Sequence, residues 1–182
     1  MTDSNFPEEQ QNFFTDEQDP QTVSKRPVFL LVLVILSSIN IGISTLGALS
    51  GMLGYKPDKD MIKKEMLEFA NMREQLEKGN AEDFIYIIDQ MEGVALNMFK
   101  HFQLYNSFQF LFLVLGLAGV ILMYRAKKLG FHFYILYTLG LVVLPYFFNP
   151  ITGIPTILTI VGIIYGGIWV FMYSRNLHWL KD

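Results

Sequence analysis

Three blocks of this chain contain no Asp, Glu, Lys or Arg: residues 28–53, 103–124 and 129–174. A helix of about 17–25 apolar residues, at 1.5 Å rise per residue, crosses a hydrocarbon layer of roughly 30 Å. The blocks therefore predict four membrane spans, near residues 28–51, 105–124, 131–148 and 155–173, the last two divided by NPITGIP. Composition points the same way, with 52% hydrophobic and 17% charged residues, on the membrane side of the range for soluble domains. A cleavable signal peptide does not fit the first block, because its apolar run is too long and 26 mostly polar residues stand before it. The chain has no cysteine, which removes disulfides and thiolate metal sites. The net charge of −3 sums segments on different sides of a bilayer and constrains no partner.

The expected fold class is an all-α membrane protein whose four transmembrane helices run up-down-up-down. Residues 1–26 form an acidic tail, 27–54 hold the first span, 55–102 an extramembrane helical hairpin, 103–174 spans two to four, and 175–182 a short tail. The first tail carries six acids before Lys25 and too little apolar surface to order itself, so it is expected to be disordered. Lys25 and Arg26 at the edge of span one, the YRAKKLG turn with Arg125, Lys127 and Lys128, and the final Arg175 and Lys181 all fall on one side in a four-span chain. Basic residues flanking spans are retained in the cytoplasm, which predicts cytoplasmic N- and C-termini. The long loop also holds seven basic residues, but they are interleaved with ten acids, as in a solvated helical element.

Within that loop Ile62, Met66, Phe69 and Leu76 recur at helical spacing, with Gly79 as a stop. Asn80 is placed to cap a second helix, with Asp83 three residues on. The apolar face of that helix is Phe84, Ile88, Met91, Ala95, Met98 and Phe102. Only Gly93 interrupts residues 81–124, so this helix is expected to continue into span two as one rod of roughly 65 Å.

Small and polar residues mark the packing faces. Along span one Ser37, Asn40, Ser44, Gly47, Gly51 and Gly54 follow one another every three or four positions, and span four repeats the pattern with Thr159, Gly162 and Gly166. In lipid, small faces let backbones approach closely and polar side chains hydrogen-bond across the contact. The partner of span one is either span four or span one of a second copy, which would make a homo-oligomer. Asn40 is the carboxamide nearest the middle of a span, and such a group needs a helix or a wet cavity beside it. Pro145 is expected to kink span three.

Reactive chemistry is sparse. No carboxylate or basic side chain stands well inside a span, and His132 lies near the basic end of span three. Met91, Met98 and His101 share nearly one helical face, and thioethers suit Cu(I). Helical packing accounts for the same spacing, so no metal and no other cofactor is expected.

The opening KRPVFLLVLVILSS, from Lys25 to Ser38, followed by INIGISTLGAL, resembles the start of small bacterial four-span membrane proteins of no assigned activity. The resemblance covers the first span and the four-span layout. It implies an integral protein of the bacterial inner membrane and carries over no catalytic or binding residue. Two functions follow as expectations. The first is a non-enzymatic accessory or scaffold component that offers a protein partner its 57–102 hairpin or its acidic tail. The second is a small-solute transporter or channel subunit with a polar path along Asn40, Asn106 and Gln109. Nothing suggests a nucleic-acid partner or an enzyme.

Overall fold

The computed structural model describes residues 27–181, so the acidic tail expected at 1–26 lies outside the described residues. Six α-helices follow in order: α1 Val28–Met52, α2 Lys59–Lys78, α3 Ile85–Lys100, α4 Phe102–Tyr124, α5 Leu129–Val143 and α6 Thr156–Ser174. Short 3₁₀ turns stand before α3, between α5 and α6 and after α6, and the described residues contain no strand, only an isolated bridge between Lys127 and Lys181. Four helices are long and apolar enough to cross a membrane: α1, α4, α6, and α5 with the 3₁₀ turn that extends it to Phe147.

Their neighbours follow the chain. Helix α1 lies along α4, α4 along α5 and α5 along α6, whereas α1 and α6 touch over only a short stretch. The core is drawn from all four: Leu33 and Ile41 of α1, Leu113 and Met123 of α4, Tyr134 and Tyr137 of α5, Tyr173 of α6. Helix α6 is the outlier, with 6% of its span buried against 28% for each of the others.

Helix ends explain two departures from the expected pattern. Gly54 has φ +100°, and the amides of Gly54 and Tyr55 donate to the carbonyls of Gly51 and Ser50. That is the hydrogen-bond pair of a left-handed helix terminus, so Gly54 ends α1 rather than extending its packing seam. Asn80 does the same for α2, with φ 52° and Ala81 donating to Leu76 O; it terminates the helix before it and does not cap the one after. Ala126 takes this role after α4, with φ 61°. An alanine there is strained, and the C-terminal segment holds it: Lys181 N donates to Ala126 O (2.6 Å) and Lys128 N to Lys181 O (2.9 Å).

The expected single rod is broken. His101 leaves helical geometry with φ −110° and ψ 27°, separating α3 from α4. Tertiary bonds accompany the break. Asn97 Nδ2 donates to Asn149 Oδ1 (2.8 Å) and Gln90 Nε2 to Thr152 O (2.7 Å), which draws α3 over the α5–α6 connection. Gly93 stays inside α3. Phe84, expected on the buried face, is exposed because a 3₁₀ turn precedes α3. Helix α2 packs chiefly on α3. Its N-terminus is capped by Asp58, whose side chain accepts from Met61 N, and Arg73 bridges Asp89 and Glu92. Pro145 turns the end of span three into a 3₁₀ turn, Leu144–Phe147.

Since alanine at a left-handed position costs roughly 1 kcal/mol that glycine does not, Ala126→Gly is expected to raise stability by about 0.5–1 kcal/mol. Thermal unfolding in detergent checks this; an unchanged or lowered midpoint would show that Ala126 is not strained.

Candidate functional site

The helix contacts are built on glycines. A Cβ at Gly119 of α4 would lie 2.8 Å from Gly130 O and 2.9 Å from Tyr134 N, both backbone atoms of α5. A Cβ at Gly130 would lie 2.6 Å from Met123 N and closer still to Gly119 O. Two aromatic rings cover the neighbouring glycines: Tyr137 lies over Gly116, with Cγ 2.8 Å from the missing Cβ, and Phe112 lies over Gly140 (2.7 Å to Cγ). Gly116 stands at helical spacing from Asn106 and Gln109, whereas Gly119, Gly130 and Gly140 fall outside the small-residue seams expected on spans one and four. Their signal was a Gly-x-x-Gly step in α4 and two glycines ten residues apart in α5, flanking Tyr134 and Tyr137 on one face.

The expected seam of α1 is only partly used. Ser37 and Gly51 are buried, Ser44 is half-buried, and Asn40 and Gly47 are exposed. A Cβ at Gly51 would fall into the Asn106 carboxamide of α4, 2.6 Å from Oδ1. Asn106 Nδ2 donates to Phe102 O (2.7 Å), and Gln103 Nε2 donates to Met52 O (3.1 Å), which closes the end of α1. A Cβ at Gly47 would meet nothing within 4 Å. The partner of α1 is therefore mainly α4. The physical reason is registration: positions 37, 44 and 51 continue the buried line through Ile41 and Ala48, while 40 and 47 lie one helical step to the side.

On α6 the small residues face α5. Gly166 sits against the Thr138 methyl group, a Cβ at Gly162 would lie 3.7 Å from Val142 Cγ2, and Thr159 Oγ1 is 2.6 Å from the Tyr146 hydroxyl. Contact between α1 and α6 is concentrated at one level, where Tyr173 Oη donates to Ser37 Oγ (3.0 Å) with both side chains buried. The Tyr134 ring stands beside Tyr173, centroids 4.7 Å apart.

Beyond that bond the two helices leave a cleft of about 280 Å³ between α1, α5 and α6. Ser37 and Tyr134 lie toward one end, and Val94 of α3 with Ile154 toward the other. Asn40, Tyr165 and Trp169 line it, and among the described residues no Asp, Glu, Lys, Arg or His does. Asn40 stands midway along α1, and among the described residues its carboxamide forms no hydrogen bond. Asn106 and Gln109 do not line the cleft, so the three amides expected along one path are not brought to one cavity.

Met91 and Met98 are half-buried on α3, and His101 occupies the break after it, its ring 5.7 Å from that of Phe148. The three do not share an uninterrupted helix. Comparisons find no family model, no curated protein and no solved structure that matches the chain.

The glycine contacts separate two substitutions that look alike in sequence. Gly119→Ile is expected to destabilise by about 3 kcal/mol or more through backbone overpacking. Gly47→Ile should change stability by less than about 0.5 kcal/mol, as at other open surface positions. Unfolding in detergent measures both; equal losses would contradict the assigned contacts.

Proposed function

We propose that this chain is a multi-pass protein of a bacterial inner membrane with cytoplasmic N- and C-termini. In this reading it acts as a non-enzymatic accessory or scaffold component that presents α2 and α3 to a protein partner outside the cytoplasm. The four apolar helices would run up-down-up-down, with α2 and α3 as a hairpin between the first and second.

The observation that carries the proposal is the exposed apolar surface of α2. Met61 is 50% exposed, Leu67 59% and Met72 41%, on a helix otherwise rich in Lys and Glu. Met61 and Met72 fall on one side of the helix and Leu67 about a third of a turn away, so they offer a further contact separate apolar footholds among the charges. Its footing is firm, since α3 is tied to the α5–α6 connection by the Asn97–Asn149 and Gln90–Thr152 bonds. The proposed orientation is supported by the pairing of Lys127 with Lys181. It puts the basic α4–α5 turn and the C-terminal segment together, as the preference of Lys and Arg for the cytoplasmic side requires.

The alternative is a small-solute transporter or channel subunit with a polar path near Asn40 and Gln109. It has the cleft beside Asn40 in its favour, but Asn106 is spent on Gly51 and Phe102.

Because the chain contains no cysteine, a single cysteine at Leu67 reports both orientation and contact. An impermeant maleimide should label it in cells whose outer membrane is opened. A photo-crosslinker at Leu67 and one at Met61 should then capture the same partner, identified by mass, while one at lipid-facing Leu111 captures none. Labelling only after lysis of the inner membrane would contradict the orientation, and adducts no different from those at Leu111 would contradict the scaffold role.

A further inference from the structure

The cleft between α1, α5 and α6 has features that a mere packing defect lacks. Its lining runs from Ser37, which accepts from the buried Tyr173 hydroxyl, to Val94 and Ile154. One turn of α1, with Ser37, Asn40 and Ile41, faces the longer stretches that α5 and α6 contribute. Among the described residues its lining carries no ionisable side chain other than tyrosines, so a charged ligand would lose its hydration without a counter-charge. Pockets that hold small ligands are apolar and aromatic with few polar groups, as this one is, and commonly lie between the helices of bundles.

Asn40 supplies a polar group, beside the hydroxyls of Tyr137 and Tyr165. It stands at the middle of α1, about 18 Å from either end at 1.5 Å per residue. Its carboxamide offers two donors and an acceptor and has no hydrogen-bond partner among the described residues. An ordinary phospholipid tail in the cleft would leave it unpaired, because the headgroup oxygens lie near the surface of a hydrocarbon layer roughly 30 Å thick. The occupant that satisfies both walls and amide is uncharged, soluble in the membrane interior, and carries an oxygen within its apolar body.

We propose that the cleft binds a neutral, membrane-dissolved amphiphile, with Asn40 hydrogen-bonded to its carbonyl or hydroxyl oxygen and Tyr137 and Trp169 packed on its body. The assignment rests on the membrane placement proposed above, not on the scaffold role, and either can fail without the other. Gly162 keeps part of the space open, since a side chain there would enter the lining.

Trp169 is one of two tryptophans, so Trp179→Phe leaves it as the sole reporter. The full chain with that change is reconstituted in phosphatidylcholine vesicles and titrated with a short-chain alkyl benzoquinone, a neutral dicarbonyl quencher. Quenching should saturate. Adding Asn40→Leu should raise the half-saturating mole fraction about five- to tenfold, the worth of one hydrogen bond. Gly162→Leu should abolish the saturating component, and a brominated phosphatidylcholine should quench in simple proportion to its mole fraction. Three results would overturn the proposal. One is proportional quenching by the quinone in the parent protein. Another is saturating quenching by the brominated lipid, which would make the cleft a seat for acyl chains. The last is an Asn40→Leu variant with an unchanged quinone curve but a lost dimer on crosslinking, which would give the amide to a second copy.

Discussion

The structure depends on one approach of two backbones, Gly119 of α4 against Gly130 of α5. Each glycine's missing Cβ would point at the other's carbonyl oxygen, so their α-hydrogens face those oxygens in a reciprocal pair. Such Cα–H···O contacts are worth about 0.5–1 kcal/mol each. Their larger effect is to let the helices close until the side chains beside them interlock. In lipid, where apolar burial gives helices little reason to associate, that density of contact is what remains to hold them. Tyr137 over Gly116 and Phe112 over Gly140 extend the contact along the pair by setting a ring into a gap on the facing helix.

The outer helices are arranged around this pair. Helix α1 attaches to α4 and α6 to α5, so the two have no common wall and meet chiefly at Ser37 and Tyr173. Divergence beyond that bond creates the cleft. Helix α3, drawn down by Asn149 and Thr152, covers its far end, and the break at His101 is what permits α3 to reach there.

The spans were legible from sequence because the absence of charge over twenty residues needs no tertiary information. The expected spans at 105–124 and 155–173 correspond to Phe102–Tyr124 and Thr156–Ser174, within three residues at each end. Small-residue spacing marked one face of α6, on which Gly162 and Gly166 lie against Val142 and Thr138 of α5. It could not say against what, because a heptad of glycine and serine specifies a close approach and not a partner. Gly54 shows a further ambiguity: a glycine that stops a helix can fall in register with one that packs, and only its φ tells them apart. The break at His101 left no mark in the hydrophobic pattern, and it goes with a hydrogen bond between residues 52 apart in the chain. Asn40 was recognisable as an amide in need of a partner; that it faces a cleft required the divergence of two helices that no local pattern records.

The most direct test of this arrangement is a nuclear Overhauser effect between the α-protons of Gly119 and Gly130, in protein labelled at glycine and held in detergent micelles. With only 14 glycines in the chain, the two can be assigned by single substitution. A strong cross-peak between them is predicted. Its absence from a folded sample, in which contacts between the Gly51 α-protons and the Asn106 side chain are nevertheless seen, would contradict the backbone contact from which the bundle and its cleft are derived.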